Sequence, residues 1–340
     1  MTFFNSGLFS NFLSWNLILN TSFDGQDLVG LGGNDQLTST HNYTTLVGFG
    51  GNDQLTTALN YSPSYTRDIY AFQLGGTGND VVTVNIDAYS NYIATALGGG
   101  RGIDQISVST ALSNTDTRFE TAIENVILSD EGNDVVDVSS TLTNSTGVVN
   151  NVVYAGAGND RVSLYADIVN GTGASTAYNY GEGGIGDDVM SGYVGGSASG
   201  DILGNELHGG GGADTLTGTV ADGVEGGNYL YGGAGKDTLT VIGGNYNELY
   251  GENGNDTLIG STTIDYMVGG SGADRFVFGL DSGDDIIADF VSGTDTLILT
   301  DGQTVSSVIA FDGYTTVLFG DASTVVLEGV ELTNQAELFA

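Results

Sequence analysis

The sequence of 340 residues lacks cysteine and has very little proline, histidine or positive charge, with one Pro, 2 His and 6 Lys or Arg. Without cysteine, disulfide bonds and thiolate metal sites are impossible. Because 42 acidic residues give a formal net charge of -36, repulsion excludes nucleic acid and anionic membranes as natural partners. Hydrophobic residues make up 40% of the chain, so a folded core is expected. The acidic charge of the folded chain must then be neutralised. A divalent cation would do so with the fewest ions.

The first 22 residues are apolar but carry no Lys or Arg, and polar residues interrupt them repeatedly. This pattern is not typical of a secretory signal peptide or of a transmembrane helix. Phe4, Leu8, Phe12, Trp15 and Leu19 would share one helical face. We therefore expect a helical or irregular segment at 1–22 that caps a longer structure or contacts another subunit, and no transmembrane span.

A glycine-rich turn that ends in aspartate recurs eleven times, and an extended β-branched or apolar run follows it, as in GGTGNDVVT from Gly75 to Thr83. Glycine permits positive φ, Asn and Asp bond to their own main chain, and β-branched residues favour strands. The sixth position of the turn is occupied by Asp35, Asp53, Asp80, Asp104, Asp134, Asp160, Asp188, Asp214, Asp237, Asp256 and Asp274. Successive aspartates are 18 to 30 residues apart.

A second repeated position lies nine residues before each aspartate. It holds a short polar residue, and an apolar residue follows two positions later. Its clear members are Asn125, Asn151, Asn205, Asn228, Asn247 and Asp265. The nine-residue step is constant, so the variable length must follow the strand after the turn. This predicts coils of two strands, with uniform glycine turns on one edge, variable loops on the other, and an asparagine ladder that hydrogen-bonds main-chain groups.

The turn resembles the nonapeptide G-G-x-G-x-D-x-U-x of RTX proteins, and the segment Asp285 to Leu297, D-x-I-x-D-F-x-x-G-x-D-x-L, resembles the C-terminal cap of serralysin-type RTX proteins. The resemblance implies an all-β fold, a right-handed parallel β-roll or β-helix solenoid with an antiparallel C-terminal cap. The regions expected are the N-terminal segment at 1–22, a calcium-binding roll at 23–279, and a cap with secretion signal at 280–340.

The resemblance also implies several bound Ca²⁺ ions, at most about ten between eleven stacked turns. The candidate ligands are the eleven sixth-position aspartates and Asp285. Candidate glycines are Gly75, Gly99, Gly183, Gly209, Gly232, Gly251 and Gly269. Because like-charged turns repel without metal, we expect folding to be coupled to calcium.

The sequence contains neither an HExxH nor a G-x-S-x-G motif, and His41 and His208 are interpreted as surface residues beside strands, so no enzyme is expected. We expect a protein exported by a type I system that folds outside the cell or at its surface and self-assembles, as a homo-oligomer or polymer, into a surface layer or fibre. One alternative is a calcium-dependent adhesin or a polysaccharide- or ice-binding module, with cell-surface polysaccharide as partner. The third is a polysaccharide-active enzyme with acids among Asp87, Asp167, Glu120 and Glu182.

Overall fold

The computed structural model describes residues 17–61, 68–114, 121–171, 173–196, 202–332 and 334–339. Its elements are almost entirely β-strands. The first fourteen are β1 (Ile18–Asn20), β2 (Leu28–Val29), β3 (Gln36–Ser39), β4 (Thr44–Gly50), β5 (Gln54–Tyr61), β6 (Ile69–Thr77), β7 (Val81–Ala88), β8 (Tyr92–Arg101), β9 (Gln105–Ser113), β10 (Thr121–Glu131), β11 (Val135–Thr143), β12 (Gly147–Ala157), β13 (Arg161–Val169) and β14 (Thr176–Ile185).

The remaining strands are β15 (Val189–Gly195), β16 (Ile202–Gly212), β17 (Thr215–Val220), β18 (Gly226–Gly235), β19 (Thr238–Ile242), β20 (Tyr246–Gly254), β21 (Thr257–Ile259), β22 (Ile264–Val268), β23 (Arg275–Phe278), β24 (Asp284–Ile287), β25 (Thr296–Leu299), β26 (Val305–Phe311), β27 (Tyr314–Phe319) and β28 (Thr324–Glu328). A short 3-10 helix, Gln335–Leu338, follows. Within these described residues no helix is long and apolar enough to cross a membrane.

The strands form two parallel sheets that alternate along the chain. Sheet A contains the thirteen odd-numbered strands from β1 to β25 in chain order, and sheet B contains the even-numbered strands from β2 to β24 followed by β28, β27 and β26. Each coil therefore contributes one strand to each sheet. The predicted all-β parallel solenoid is confirmed.

The core lies between the two sheets because alternate residues of every strand point inward. In sheet A the second residue after each ladder aspartate is buried, as at Leu216, Leu239 and Leu258. In sheet B, Leu207, Leu230 and Leu249 oppose them and are equally buried. In-register pairing stacks these side chains into continuous columns, so adjacent coils hold each other through apolar contact.

The two edges of the solenoid differ as the spacing predicts. Glycine turns run from sheet B into sheet A at one edge. The connections from sheet A back to sheet B vary in length and lie at the opposite edge. We call these the glycine edge and the return edge. Insertions thus leave the register of the glycine edge unchanged.

At the C-terminal end the parallel coils continue through β24 and β25 before the antiparallel part begins. Strands β26, β27 and β28 form an antiparallel meander, and β28 also pairs in parallel with β24. The predicted antiparallel C-terminal cap is confirmed. At the other end β1 already pairs with β3, so the solenoid includes residues of the segment 1–22, whose first sixteen residues lie outside the described ranges.

Candidate metal site

The sixth-position aspartates form one continuous hydrogen-bonded ladder along the glycine edge. The main-chain N–H of each aspartate donates to Oδ1 of the aspartate in the next coil, at 2.7 Å from Asp53 to Asp80 and 2.8 Å from Asp214 to Asp237. The same contact repeats at every step and also connects Asp274 to Asp295. One oxygen of each carboxylate, Oδ1, therefore links adjacent coils.

The second oxygen of each ladder carboxylate, Oδ2, has no hydrogen-bond partner. Oδ2 is buried without a hydrogen bond in Asp35, Asp53, Asp80, Asp104, Asp134, Asp160, Asp188, Asp214, Asp237, Asp256 and Asp274. A buried charged oxygen without a donor is costly, so a row of eleven needs a physical explanation. Either protons or cations must satisfy these atoms.

The first glycine of the turn leaves open the space beside this oxygen. A Cβ placed on Gly232 would lie 2.6 Å from Oδ2 of Asp237 and 2.8 Å from the carbonyl oxygen of Gly251 in the next coil. The same pair of oxygens, one carboxylate and one carbonyl, borders this space at Gly209 and Gly251. We call this space, between a first-position residue and its ladder aspartate, the oxygen cradle. It exists only where the first position has no side chain.

Nine ladder aspartates have a glycine at the first position. These glycines are Gly30, Gly48, Gly75, Gly99, Gly183, Gly209, Gly232, Gly251 and Gly269. Before Asp134 and Asp160 the first position is Ser129 and Ala155, both buried. Their Cβ atoms take the place that is open in the other coils, so the cradle is closed at these two steps.

Glycine at the second position serves a different purpose, because the backbone there has positive φ. Gly76 has φ 116°, and a Cβ on it would meet the main chain of Phe49 in the preceding coil. Leu31, Phe49, Asp130 and Glu252 occupy this position in weaker copies, where φ stays positive, at 123° for Leu31 and between 72° and 74° for the other three. These side chains fit only by adopting a left-handed conformation that costs about 1 kcal/mol for an L-residue.

Burial raises the pKa of the ladder carboxyls. Burial, together with the charges of neighbouring ladder aspartates, raises the pKa of Asp80, Asp188 and Asp256 to about 7. The hydrogen bond from the preceding aspartate N–H opposes this shift. A cation in the cradle would favour the ionised form instead.

A second ladder runs inside sheet B near the return edge, and it consists of amides. Nδ2 of Asn179 donates to Oδ1 of Asn205 at 2.9 Å, and Asn205 donates in turn to Asn228 at 2.8 Å and to the carbonyl of Thr219 at 2.9 Å. The ladder extends from Asn125 through Asn247 with every step made. The predicted asparagine ladder is thus present, but its continuous steps join one amide side chain to the next, and main-chain carbonyls such as that of Thr219 are additional acceptors.

The amide ladder ends in two buried acids. Asn247 donates to Asp265 at 2.6 Å, and the N–H of Asp265 donates to Oδ1 of Asp285 at 3.0 Å. Oδ2 of Asp285 is buried without a hydrogen-bond partner. Burial, followed by the neighbouring charge of Asp265, raises the pKa of Asp285 to about 9.

The structure brings together the eleven predicted aspartates and the seven predicted glycines on one edge, whereas Asp285 lies in β24 at the end of the amide ladder. Asp295, which the sequence analysis did not single out, continues the aspartate ladder instead, and its Oδ2 accepts from the N–H of Val291 at 2.8 Å. Gly30, Gly48 and Asn179 were also missed. Counting five or nine residues back from each aspartate would have found all three.

Comparison with known families agrees with this geometry. Four matches to the RTX calcium-binding nonapeptide repeat cover residues 149–173, 199–222, 222–245 and 250–287. The chain thus carries four RTX calcium-binding nonapeptide repeats on a β-solenoid, which is consistent with an RTX β-roll protein. A search of the curated proteins finds no match. The matches span about a third of the chain, but the aspartate ladder continues to Asp35, and open cradles recur beside Asp104, Asp80, Asp53 and Asp35.

The residues of the cradle suit calcium. Ca²⁺ takes six to eight oxygen ligands, from carboxylates, carbonyls and water. Each open cradle offers one orphaned carboxylate oxygen, and seven of the nine also place a carbonyl oxygen of the next coil beside it. Within the described ranges no three acidic or histidine side chains converge on one point, so main-chain carbonyls and water would have to complete the shell.

Proposed function

We propose that this chain is an extracellular scaffold whose solenoid is clamped by calcium along the glycine edge. The observation that carries the proposal is the row of eleven buried Oδ2 atoms without donors, nine of them beside an open cradle. In this proposal each open cradle binds one ion between two coils. The aspartates and first-position carbonyls hold the ion, and the second and fourth glycines shape the turn around it.

The proposed ions fall into two groups of sites. The first group comprises Asp35, Asp53, Asp80 and Asp104, and the second comprises Asp188, Asp214, Asp237, Asp256 and Asp274. Ser129 and Ala155 separate the groups by closing the cradles beside Asp134 and Asp160. The number of ions is thus at most nine.

We further propose that the acidic chain is exported unfolded by a type I system and folds when it meets calcium outside the cell. With a charge of -36 the chain repels itself until cations bind, and calcium binding then contributes directly to folding. Self-assembly of the folded solenoid into a surface layer or fibre completes the proposed role.

The proposed role is structural rather than catalytic. Nδ1 of His41 lies 3.0 Å from the hydroxyl of Thr21, and Nε2 of His208 lies 2.9 Å from Glu206. The ring of His208 also stacks on Tyr231, with centroids 4.5 Å apart. Both histidines thus have partners that fix them in the scaffold.

Calcium titration of the chelator-treated chain, followed by far-UV circular dichroism, tests this proposal. We expect a cooperative gain of β signal on adding calcium and its loss on adding chelator, with no such effect of magnesium, which demands a smaller octahedral shell. A chain that stays fully ordered in excess chelator contradicts calcium-coupled folding. A variant with Asp188, Asp214 and Asp237 all changed to Asn should require more calcium, which ties the effect to the ladder.

Glycan binding is the second candidate, and the outer face of sheet B favours it. The rings of His208, Tyr231 and Tyr250 stack in sequence along this face, and Tyr180 lies tilted against His208 with ring centroids 5.4 Å apart. Acids lie beside them, as in the 2.6 Å contact of Tyr250 with Glu248. A glycan array with the calcium-loaded protein, compared with Tyr231→Ala, tests this alternative.

A further inference from the structure

The outer face of sheet B carries an uncharged apolar surface in an otherwise acidic chain. Register places ten outward positions of β4, β6, β8, β10 and β12 in two columns. These positions hold Thr45, Val47, Phe72, Leu74, Ala96, Gly98, Val126, Leu128, Val152 and Tyr154. None of the ten is charged. We call them the apolar face.

Five large side chains of the apolar face are exposed. Phe72, Leu74, Val126, Leu128 and Tyr154 are 39% to 52% exposed. Gly98 lies between Leu74 and Leu128, and its lack of a side chain lets Leu74 lean across β8. The surface is therefore continuous over five strands, about 19 Å at ~4.8 Å per strand. Contiguous apolar surfaces of this size on soluble proteins usually mark an interaction site.

We infer that the apolar face is the centre of a contact with a second copy of this chain. This inference rests on the proposed function of a self-assembling scaffold. A basic partner would bind the acidic parts of the molecule, so the apolar face, which has no charge, favours a partner that is itself uncharged where it makes contact. A second copy presents an identical uncharged surface. Two copies related by a two-fold axis through the apolar face bring together the part of each chain that does not repel the other.

The size of sheet B agrees with this partner. Ten strands from β4 to β22 share the outer face, which covers roughly 1,300 Å² at ~4.8 Å between strands and ~3.3 Å per residue, more than the ~800 Å² per partner of a standard-size interface. Beyond the apolar face it carries tyrosines and their hydrogen-bonded acids, such as Tyr178 with Glu206. An apolar centre and a tyrosine-rich polar rim are the composition of protein interfaces.

Sedimentation velocity of the calcium-loaded full chain over a range of concentrations tests the inference. The double variant Leu74→Asp with Leu128→Asp adds two charges to exposed positions, so the solenoid should still fold. We expect the native chain to self-associate and the double variant to do so more than about 100-fold more weakly, because opposed carboxylates repel. The matched control changes Val81 and Val189 to Asp on the outer face of sheet A, where they are 38% and 42% exposed, and should associate like the native chain.

A native chain that remains monomeric at millimolar concentration overturns the inference, as does a double variant that associates like the native chain. If removal of residues 1–16 abolishes association while the double variant retains it, the contact lies elsewhere and the inference is equally wrong. Circular dichroism of each variant shows whether calcium-coupled folding is intact, so that failure of the contact can be distinguished from failure of the calcium proposal. A normal calcium-induced signal with unaltered association refutes only the contact, whereas loss of calcium-coupled folding in the native chain refutes the proposed scaffold itself.

Discussion

At the scale of the residue, one methyl group determines whether a cradle is open. Ala155 differs from the nine first-position glycines only by its Cβ, which occupies the space beside Oδ2 of Asp160. The sequence motif treats all glycines of the turn alike. The structure separates them into first-position residues that leave room for a ligand and second-position residues that need positive φ.

The variant Ala155→Gly should add one calcium ion to the protein. Opening the cradle gives Asp160 the same two oxygens that border the space at Gly232, and native mass spectrometry can count the bound ions. Gly232→Ala should remove one ion. Ala157→Gly, in the same turn but away from the cradle, is the matched control and should leave the number unchanged.

The left-handed residues in weak copies predict a stabilising substitution. Glu252 has φ 72°, so Glu252→Gly should raise the free energy of unfolding by about 1 kcal/mol through release of backbone strain. Thermal unfolding in saturating calcium measures the change. Glu252→Gln removes the charge without relieving the strain, so an equal gain from that variant would attribute the effect to electrostatics.

At the scale of the element, the aspartate ladder links calcium to protons. The pKa of Asp80, Asp188 and Asp256 is about 7 without metal, while calcium binds the ionised carboxylate. Calcium binding near pH 7 should therefore release protons, and affinity should fall as pH drops below 7. Calorimetry in buffers of different ionisation enthalpy measures the proton release. Identical heats in all buffers would contradict the raised pKa values.

The end of the amide ladder predicts a different pH dependence. With a folded pKa of about 9 against about 3.9 when unfolded, Asp285 retains a proton in the folded state over that window. The folded state then binds more protons than the unfolded state, so stability is highest below this window and falls as pH rises through it, by up to about 1.4 kcal/mol per unit.

Asp285→Asn supplies a neutral amide at the end of the ladder and should remove this pH dependence, with a gain in stability that grows toward pH 8. Denaturant unfolding at pH 5 and pH 8 in constant calcium measures it. Asp284→Asn is the matched control, since Asp284 is exposed and accepts from the hydroxyl of Thr324 at 2.8 Å. An unchanged pH dependence in Asp285→Asn would place the titrating group elsewhere.

The sequence predicted both ladders because each lies at a constant distance from the glycine turn. It did not predict the positions of Asp285 and Asp295. Beyond Asp274 the turn is replaced, and spacing alone does not reveal which aspartate follows in the ladder and which enters sheet B. The apolar face escaped sequence analysis for a related reason, since its columns appear only when coils of 24 to 30 residues are brought into register.

At the scale of the whole molecule, different surfaces of the solenoid carry different features. The glycine edge carries the buried aspartates, the return edge accepts insertions, and sheet B exposes both the apolar face and the tyrosine row. Each coil contacts only its neighbours, so a defect at one cradle weakens one step of the stack. The closed cradles at Asp134 and Asp160 therefore interrupt the proposed calcium row without breaking the fold, because the hydrogen bonds from each aspartate N–H to Oδ1 of the next aspartate continue through both steps.

The central claim is that calcium lies in the open cradles, and the most direct test is a crystal structure of the calcium-loaded protein with an anomalous difference map. The account predicts nine peaks, each beside Oδ2 of an aspartate preceded by a first-position glycine, and no peak at Asp134 or Asp160. Oδ2 atoms that remain without any neighbouring ion, or equal peaks at all eleven aspartates, would contradict it.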